Sequence, residues 1–270
     1  MAALLVYFFL PLVWLLLSAT KTTSGLFSSF GFWFGDSFNL FDNIRLVFTQ
    51  DGGVFGRWLL NTIMYAVVSA TVASLLATAA GYAISRLEFK GRKIYFAVVL
   101  GTIMVPSTAL TIPTYLLLSK IGLINTPLAI ILPSIISPFG LYLMTVYAGQ
   151  AIPQSLLEAA RIDGAGEYRI FWRIALRQLG PGFVTVLLLT LVATWNNYFL
   201  PLIMLSDPKW YPITLGLATW NSQAAAGNST QALFSVVITG ALISIIPLVI
   251  AFVMLERFWQ SGLSVGAVKD

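Results

Sequence analysis

Apolar residues in this chain of 270 residues run in long blocks rather than alternating or recurring at amphipathic helical spacing. A helix needs about 20 apolar residues to cross about 30 Å of hydrocarbon. Six blocks approach that length: Ala2–Ala19, Trp58–Ile84, Ile94–Leu118, Thr126–Ala148, Phe183–Leu205 and Ala232–Leu255, none with a full charge. The pattern predicts an all-α integral membrane protein with six transmembrane helices, folded as a single transmembrane domain over 1–270. Between the blocks lie an aromatic-rich segment, 21–57, a charged segment, 152–182, and a polar tail, 256–270.

Prolines interrupt several blocks, among them Pro106 and Pro113, Pro133 and Pro138, Pro201 and Pro247. Each removes a backbone donor and bends the helix. The freed carbonyls either line a wet path or bond to hydroxyls such as Ser107, Thr108, Ser134 and Ser137. Ser69, Ala73, Ala77 and Gly81 recur every four residues, which puts small side chains on one helix face and suits a packing seam. Asn196, Asn197 and Tyr198 belong to the most polar cluster in any block. Amides in hydrocarbon need partners, so the cluster either faces a path or bonds helix to helix.

Composition narrows the chemistry. With 58% hydrophobic and 9% charged residues and a mean hydropathy of +0.88, the chain cannot build the shell of a soluble domain. It has neither Cys nor His, which removes disulfides, thiolate and imidazole metal sites, and Ser-His or Cys-His nucleophile pairs. A membrane-embedded enzyme would need such a pair or two carboxylates within the blocks. An ion-coupled carrier ordinarily keeps charged groups there. No phosphate-cradling Gly-x-x-x-x-Gly-Lys-Ser/Thr motif is present, so a transport role requires a partner's energy.

Charge placement gives topology, because Lys and Arg flanking spans stay cytoplasmic. Ten of the fifteen basic residues fall on one side: Arg86, Lys90, Arg92, Lys93, Arg161, Arg169, Arg173, Arg177, Arg257 and Lys269. Both termini, the 152–182 loop and the tail are therefore expected in the cytoplasm, and 21–57 outside with its aromatics at the interface. The first block also reads as a secretory signal, since Ser18, Ala19 and Thr20 follow it, although it lacks a positive leader.

The 152–182 segment, IPQSLLEAARIDGAGEYRIFWRIALRQLGPG, predicts two short helices. Pro153 suits a first turn with Ser155 near the cap, Asp163-Gly164 makes a left-handed turn, and Glu167–Leu179 forms a second helix ended by Gly180-Pro181-Gly182. Glu158 and Arg161 complement the helix dipole. The small residues Ala159, Ala160, Gly164, Ala165 and Gly166 suit a slender helix that enters a partner's cleft.

Glu158-Ala159-Ala160, Asp163-Gly164 and Ile174-x-Leu176 closely resemble the EAA loop of binding-protein-dependent ATP-binding cassette (ABC) permeases. ALTIPTYLLLSKIGLINTPLAIILP at Ala109–Pro133, WNNYFLPLIML at Trp195–Leu205 and the tail from Gly262 to Lys269 are similar to the sugar-import type, and specifically to the smaller member of the maltose permease pair. The resemblance covers nearly the whole chain. One departure is Arg177, where the family loop has proline; Pro181 shifts the break later.

The resemblance implies an importer in a cytoplasmic (inner) membrane. Its partners would be a second homologous permease subunit, a pair of cytoplasmic ATPases that bind the ATP, and an extracytoplasmic solute-binding protein, with no nucleic acid and no cofactor held by this chain. Glu158 would contact the ATPase, Ala159 and Ala160 would pack closely, Asp163-Gly164 would set the helix angle, and Gly262, Gly266 and Lys269 would reach the ATPase interface. A polyol or glycerol phosphate is the alternative cargo, and Asn196, Asn197 and Tyr198 are candidate path residues.

Overall fold

A computed structural model describes residues 2–227 and 233–263. Among them every regular element is helical. In chain order these are α1 (Ala2–Ala19), α2 (Thr23–Ser28), α3 (Leu40–Thr49), α4 (Val54–Arg86), α5 (Arg92–Ile103), α6 (Thr111–Lys120), α7 (Leu128–Ser134), α8 (Pro138–Ala151) and α9 (Gln154–Ile162). They continue with α10 (Glu167–Gln178), α11 (Gly180–Trp195), α12 (Phe199–Met204), α13 (Ile213–Ala225) and α14 (Leu233–Leu263).

Three stretches are long and apolar enough to cross a bilayer: Val54–Arg86, Leu128–Ala151 and Leu233–Glu256. Glu167–Gln178 and Gly180–Trp195 make a fourth if taken together, bent by 77°. Three expected spans are divided: the third block is α5 and α6, separated by turns at 104–110 around Pro106, the fourth is α7 and α8, with a short break at 135–137, and the fifth is α11 and α12, separated at Asn196–Tyr198.

The chain forms two compact units. The first comprises Met1–Thr62 and Ser206–Ile250, the second Ile63–Leu205 and Ala251–Asp270. The first unit is centred on aromatic side chains. Phe55, Trp58 and Trp220 are buried, with Phe55 stacked on Trp220 at 6.2 Å and Trp58 beside Trp220 at 4.7 Å. Gly216 allows this packing, because a Cβ there would overlap the Trp58 ring. The first turns of α4 also hold the 206–213 strap by its backbone: Trp58 Nε1 donates to Pro208 O, Asn61 Nδ2 donates to Lys209 O and Tyr211 O, and Thr62 Oγ1 accepts from Ile213 N.

Segment 21–53 is a folded part of this unit. Lys21 is 1% exposed, and its ammonium donates to Phe30 O at 2.8 Å. Asn43 Nδ2 donates to Ala19 O and Lys21 O, both at 2.9 Å, and Trp220 Nε1 donates to Asp51 Oδ2 at 2.7 Å. Ser18, Ala19 and Thr20 are thereby buried beneath α3. Phe27, Phe30, Trp33, Phe38 and Phe41 are more than half exposed.

In the second unit the small-residue seam is real. Ser69, Ala73 and Ala77 are buried, and a Cβ on Gly81 would lie 2.6 Å from Met144 Cβ and 2.7 Å from its carbonyl carbon. The α4 and α8 backbones therefore touch through Gly81. Arg86, in the last turn of α4, donates from Nε to Ala148 O at 3.1 Å and from Nη2 to Gly149 O. A cation at the end of α8 also opposes that helix's negative pole.

Candidate functional site: the 152–179 loop

The loop opens at Ile152, which is fully buried, and Pro153, whose extended backbone precedes α9. Pro153 stands at the cap rather than inside the first turn, and no side chain caps α9, so Ser155 does not serve that role. The helix is amphipathic. Leu157 and Ala160 turn inward to a core with Ile152, Met144, Ile170, Ala175 and Leu179, whereas Glu158, Ala159, Arg161, Ile162 and Asp163 are exposed.

Its C-terminus is closed by a complete Schellman arrangement. Gly164 has φ +78°, Ala165 N donates to Ala160 O and Gly164 N donates to Arg161 O, both at 3.0 Å. These bonds satisfy carbonyls the helix would otherwise leave open. The left-handed φ is what requires glycine; a Cβ at Gly164 would meet no atom within 4 Å. Across the turn, Arg161 Nε donates to Glu167 Oε1 at 2.7 Å, joining the last turn of α9 to the first of α10. That carboxylate raises the pKa of the Arg161 guanidinium.

The second helix ends at the expected Gly180-Pro181-Gly182 break: the chain bends by 77° after Gln178 and proceeds directly into α11, with Pro181 in its first turn. Pro181 fits there because first-turn N–H groups have no helical partner. Phe171–Ala175 form a π-helical turn within α10. Ala160 faces the chain's own core, leaving Ala159 as the small outward residue. The sequence pattern also gave no prominence to Ile162 and Tyr168, which are 87% and 79% exposed on this polar loop. A large apolar residue off the buried stripe was the available signal.

The amide cluster lies elsewhere in the second unit. Asn196 Nδ2 donates to Val192 O at 2.9 Å, and Asn197 Oδ1 accepts from Leu200 N at 3.3 Å. These bonds finish α11 and start α12, a local use of both amides. Tyr198 is 42% exposed beside them. Of the tail candidates, Gly262 falls in the last described turns of α14, while Gly266 and Lys269 lie outside the described residues.

The profile of the family described as "Binding-protein-dependent transport system inner membrane component" matches residues 74–261, which include the whole loop. The chain belongs to this family. Among its relatives, the arabinooligosaccharides transport system permease protein AraQ of Halalkalibacterium halodurans is 34% identical over 228 residues, covering 84% of this chain and 79% of the relative. The lactose transport system permease protein LacG of Rhizobium radiobacter is 32% identical, covering 96% and 90%. The fold is shared with a solved chain from a bacterial ABC transporter involved in the import of the acidic polysaccharide alginate. That match has a TM-score of 0.81 at 21% identity and covers 96% of this chain and 93% of the other. As a binding-protein-dependent permease, the chain is a multi-pass membrane subunit of an ABC importer, a transport component and not an enzyme.

Proposed function

We propose that the chain is one of two permease subunits of an ATP-driven carbohydrate importer, and that its 152–182 loop is the coupling element docked on a cytoplasmic ATPase. The arabino-oligosaccharide and lactose systems named for its relatives support a carbohydrate cargo. In this reading the six spans are α1, α4, α5 with α6, α7 with α8, α11 with α12, and α14. Both termini are cytoplasmic, in keeping with the basic residues concentrated on that side. A second homologous permease subunit completes the path, an extracytoplasmic binding protein delivers the solute, and lipid surrounds the bundle. Asn196, Asn197 and Tyr198 would lie along the path, and Gly262, Gly266 and Lys269 near the ATPase.

The observation that carries the docking proposal is the two-faced build of α9. Leu157 and Ala160 anchor it to α4 and α8, while Glu158, Ala159 and the exposed Ile162 point away from the core. An amphipathic helix whose outer face also carries an apolar side chain suits a groove on a partner. ATPase closure would push this helix, and the joined α8 and α4 would carry the displacement into the spans as alternating access.

Membrane vesicles containing the assembled transporter and its binding protein test the reading with radiolabelled arabinotriose and lactose as probes. Uptake is expected to require ATP inside the vesicle and to survive collapse of the proton gradient. Uptake driven by a proton gradient without ATP would overturn it.

A further inference from the structure

The docking reading uses α9 and leaves the outer face of α10 unassigned. Arg169, Arg173 and Arg177 are all exposed and follow one another at four-residue intervals. Four residues overshoot an α-helical turn of 3.6. The wider π-helical turn at Phe171–Ala175 takes up part of that excess, so the three cations lie nearly in one row. No carboxylate pairs with any of them among the described residues. Arg177 is also the point where the chain departs from the loop it resembles, and it extends the row by a turn.

Beyond Glu167 the chain has no acidic residue before Asp207. Like charges one helical turn apart repel, and nothing along this segment offsets that repulsion. Two aromatic side chains belong to the same exposed surface. Tyr168 and Trp172 are 79% and 44% exposed, with ring centroids 6.1 Å apart. Ile170, Ala175 and Leu179 turn the other way, into the core.

The course of α10 narrows what can meet this surface. It is bent by 77° from α11, with Leu179 between them. Spans tilt by about 20° on average, so beside a spanning α11 the α10 helix runs close to the plane of the bilayer surface. A helix in that plane brings guanidinium groups to lipid phosphates and Tyr and Trp rings to the boundary between water and hydrocarbon.

We propose that α10 is an interfacial helix whose arginine row binds anionic phospholipid headgroups of the cytoplasmic leaflet. Charge complementarity favours lipid over the ATPase. The outward charges of α9 and its turn are mixed, Glu158, Arg161 and Asp163, as suits a protein groove, whereas α10 past its first residue carries cations only. An anchored α10 gives a pushed α9 a fixed far end, so the displacement passes to α8 instead of carrying the whole loop along. The proposal rests on the reading that α11 is a span and the loop cytoplasmic.

The full assembled transporter in phosphatidylcholine nanodiscs tests it. A minor lipid fraction is either phosphatidylglycerol or phosphatidylcholine, each bearing the same diazirine near the glycerol. After illumination, peptide mass spectrometry counts lipid adducts on residues 168–179. Phosphatidylglycerol adducts are expected to exceed phosphatidylcholine adducts about fivefold, the order of one cation beside an anionic surface. High salt should shrink the excess. Arg169→Gln, Arg173→Gln and Arg177→Gln combined should bring the two lipids level with the ATPase still bound, and the three corresponding lysine substitutions should keep the excess. No excess in the wild-type chain, an excess that survives the glutamine substitutions, or its loss in the lysine variant would each overturn the proposal. Loss of the ATPase from the glutamine variant would overturn it too, by assigning the row to that partner. Failure of the underlying placement reads differently. The chain has no cysteine, so Ile162→Cys supplies its one thiol, and labelling of that thiol by an impermeant maleimide from outside intact cells would put the loop on the other face.

Discussion

Residues 21–53 and 152–179 both connect longer helices and both fold, but by different means. The first is held by single side chains reaching across the sequence: Lys21 to Phe30 O, Asn43 to Ala19 O and Lys21 O, and Trp220 to Asp51. The second is held by a periodic apolar face, with Leu157, Ala160, Ile170, Ala175 and Leu179 in one core, and by a backbone-closed turn at Gly164. Apart from the Arg161–Glu167 pair, the charged surface of the second carries no ion pair among those described. Its inward residues hold the loop in place, and the outward ones are available to a partner.

The largest expected effect in the charged loop comes from its turn. Gly164→Asp places a side chain at φ +78°, costing about 1 kcal/mol in backbone strain. It also adds a charge to the docking face, so vesicle uptake should be abolished while the chain still inserts normally in membranes. Normal uptake would show that the turn does not position a docked helix. The aromatic segment should respond in stability instead. Asn43→Ala strips the donors from two carbonyls at the end of α1, at a cost of about 1–3 kcal/mol. A lower thermal midpoint of the purified chain, with the ATPase still bound, is the expected result.

Glu158→Lys reverses one exposed charge and should weaken ATPase association several-fold without lowering that midpoint. Unchanged co-purification would remove Glu158 from the contact. The smallest effect concerns the strap of the aromatic unit, where hydrogen bonding to Lys209 holds the Asp207 carboxyl below its ordinary value. A depressed carboxyl stabilises above the unfolded pKa and loses that contribution as pH falls through the folded value. The protection factor of the Lys209 amide, its exchange corrected for the intrinsic rate at each pH, should therefore be flat from neutral pH to about pH 5 and fall only in stronger acid. A fall already at about pH 6 would assign the strap's order to another group.

The same contrast explains what the sequence disclosed. Blocks of apolar residues announce spans because each residue adds to one signal, and Asp163-Gly164 announces a turn because so few residues tolerate its backbone. The small-residue seam was legible for a similar reason: Ser69, Ala73, Ala77 and Gly81 lie on one helix face whatever packs on it. Lone long-range bonds have no such pattern. Nothing near Lys21 indicates that its ammonium will meet Phe30 O, and α13 leaves little trace because its apolar half is short and its second half polar. The amides at 196 and 197 were recognisable as needing partners, and each has one in the adjoining backbone, a local bond that no long-range pattern announces. In the charged loop, periodicity could indicate two helices but not which alanine of the Glu158-Ala159-Ala160 run would face inward.

The pairing of Trp58 with Trp220 at 4.7 Å has a spectroscopic consequence. Two indoles that close, tilted by 56° and locked against Phe55, should couple their electronic transitions and give a strong near-ultraviolet circular dichroism signal. That optical signature would originate in the aromatic unit and vanish if Gly216 acquired a side chain, offering a label-free gauge of that unit's integrity during purification in detergent.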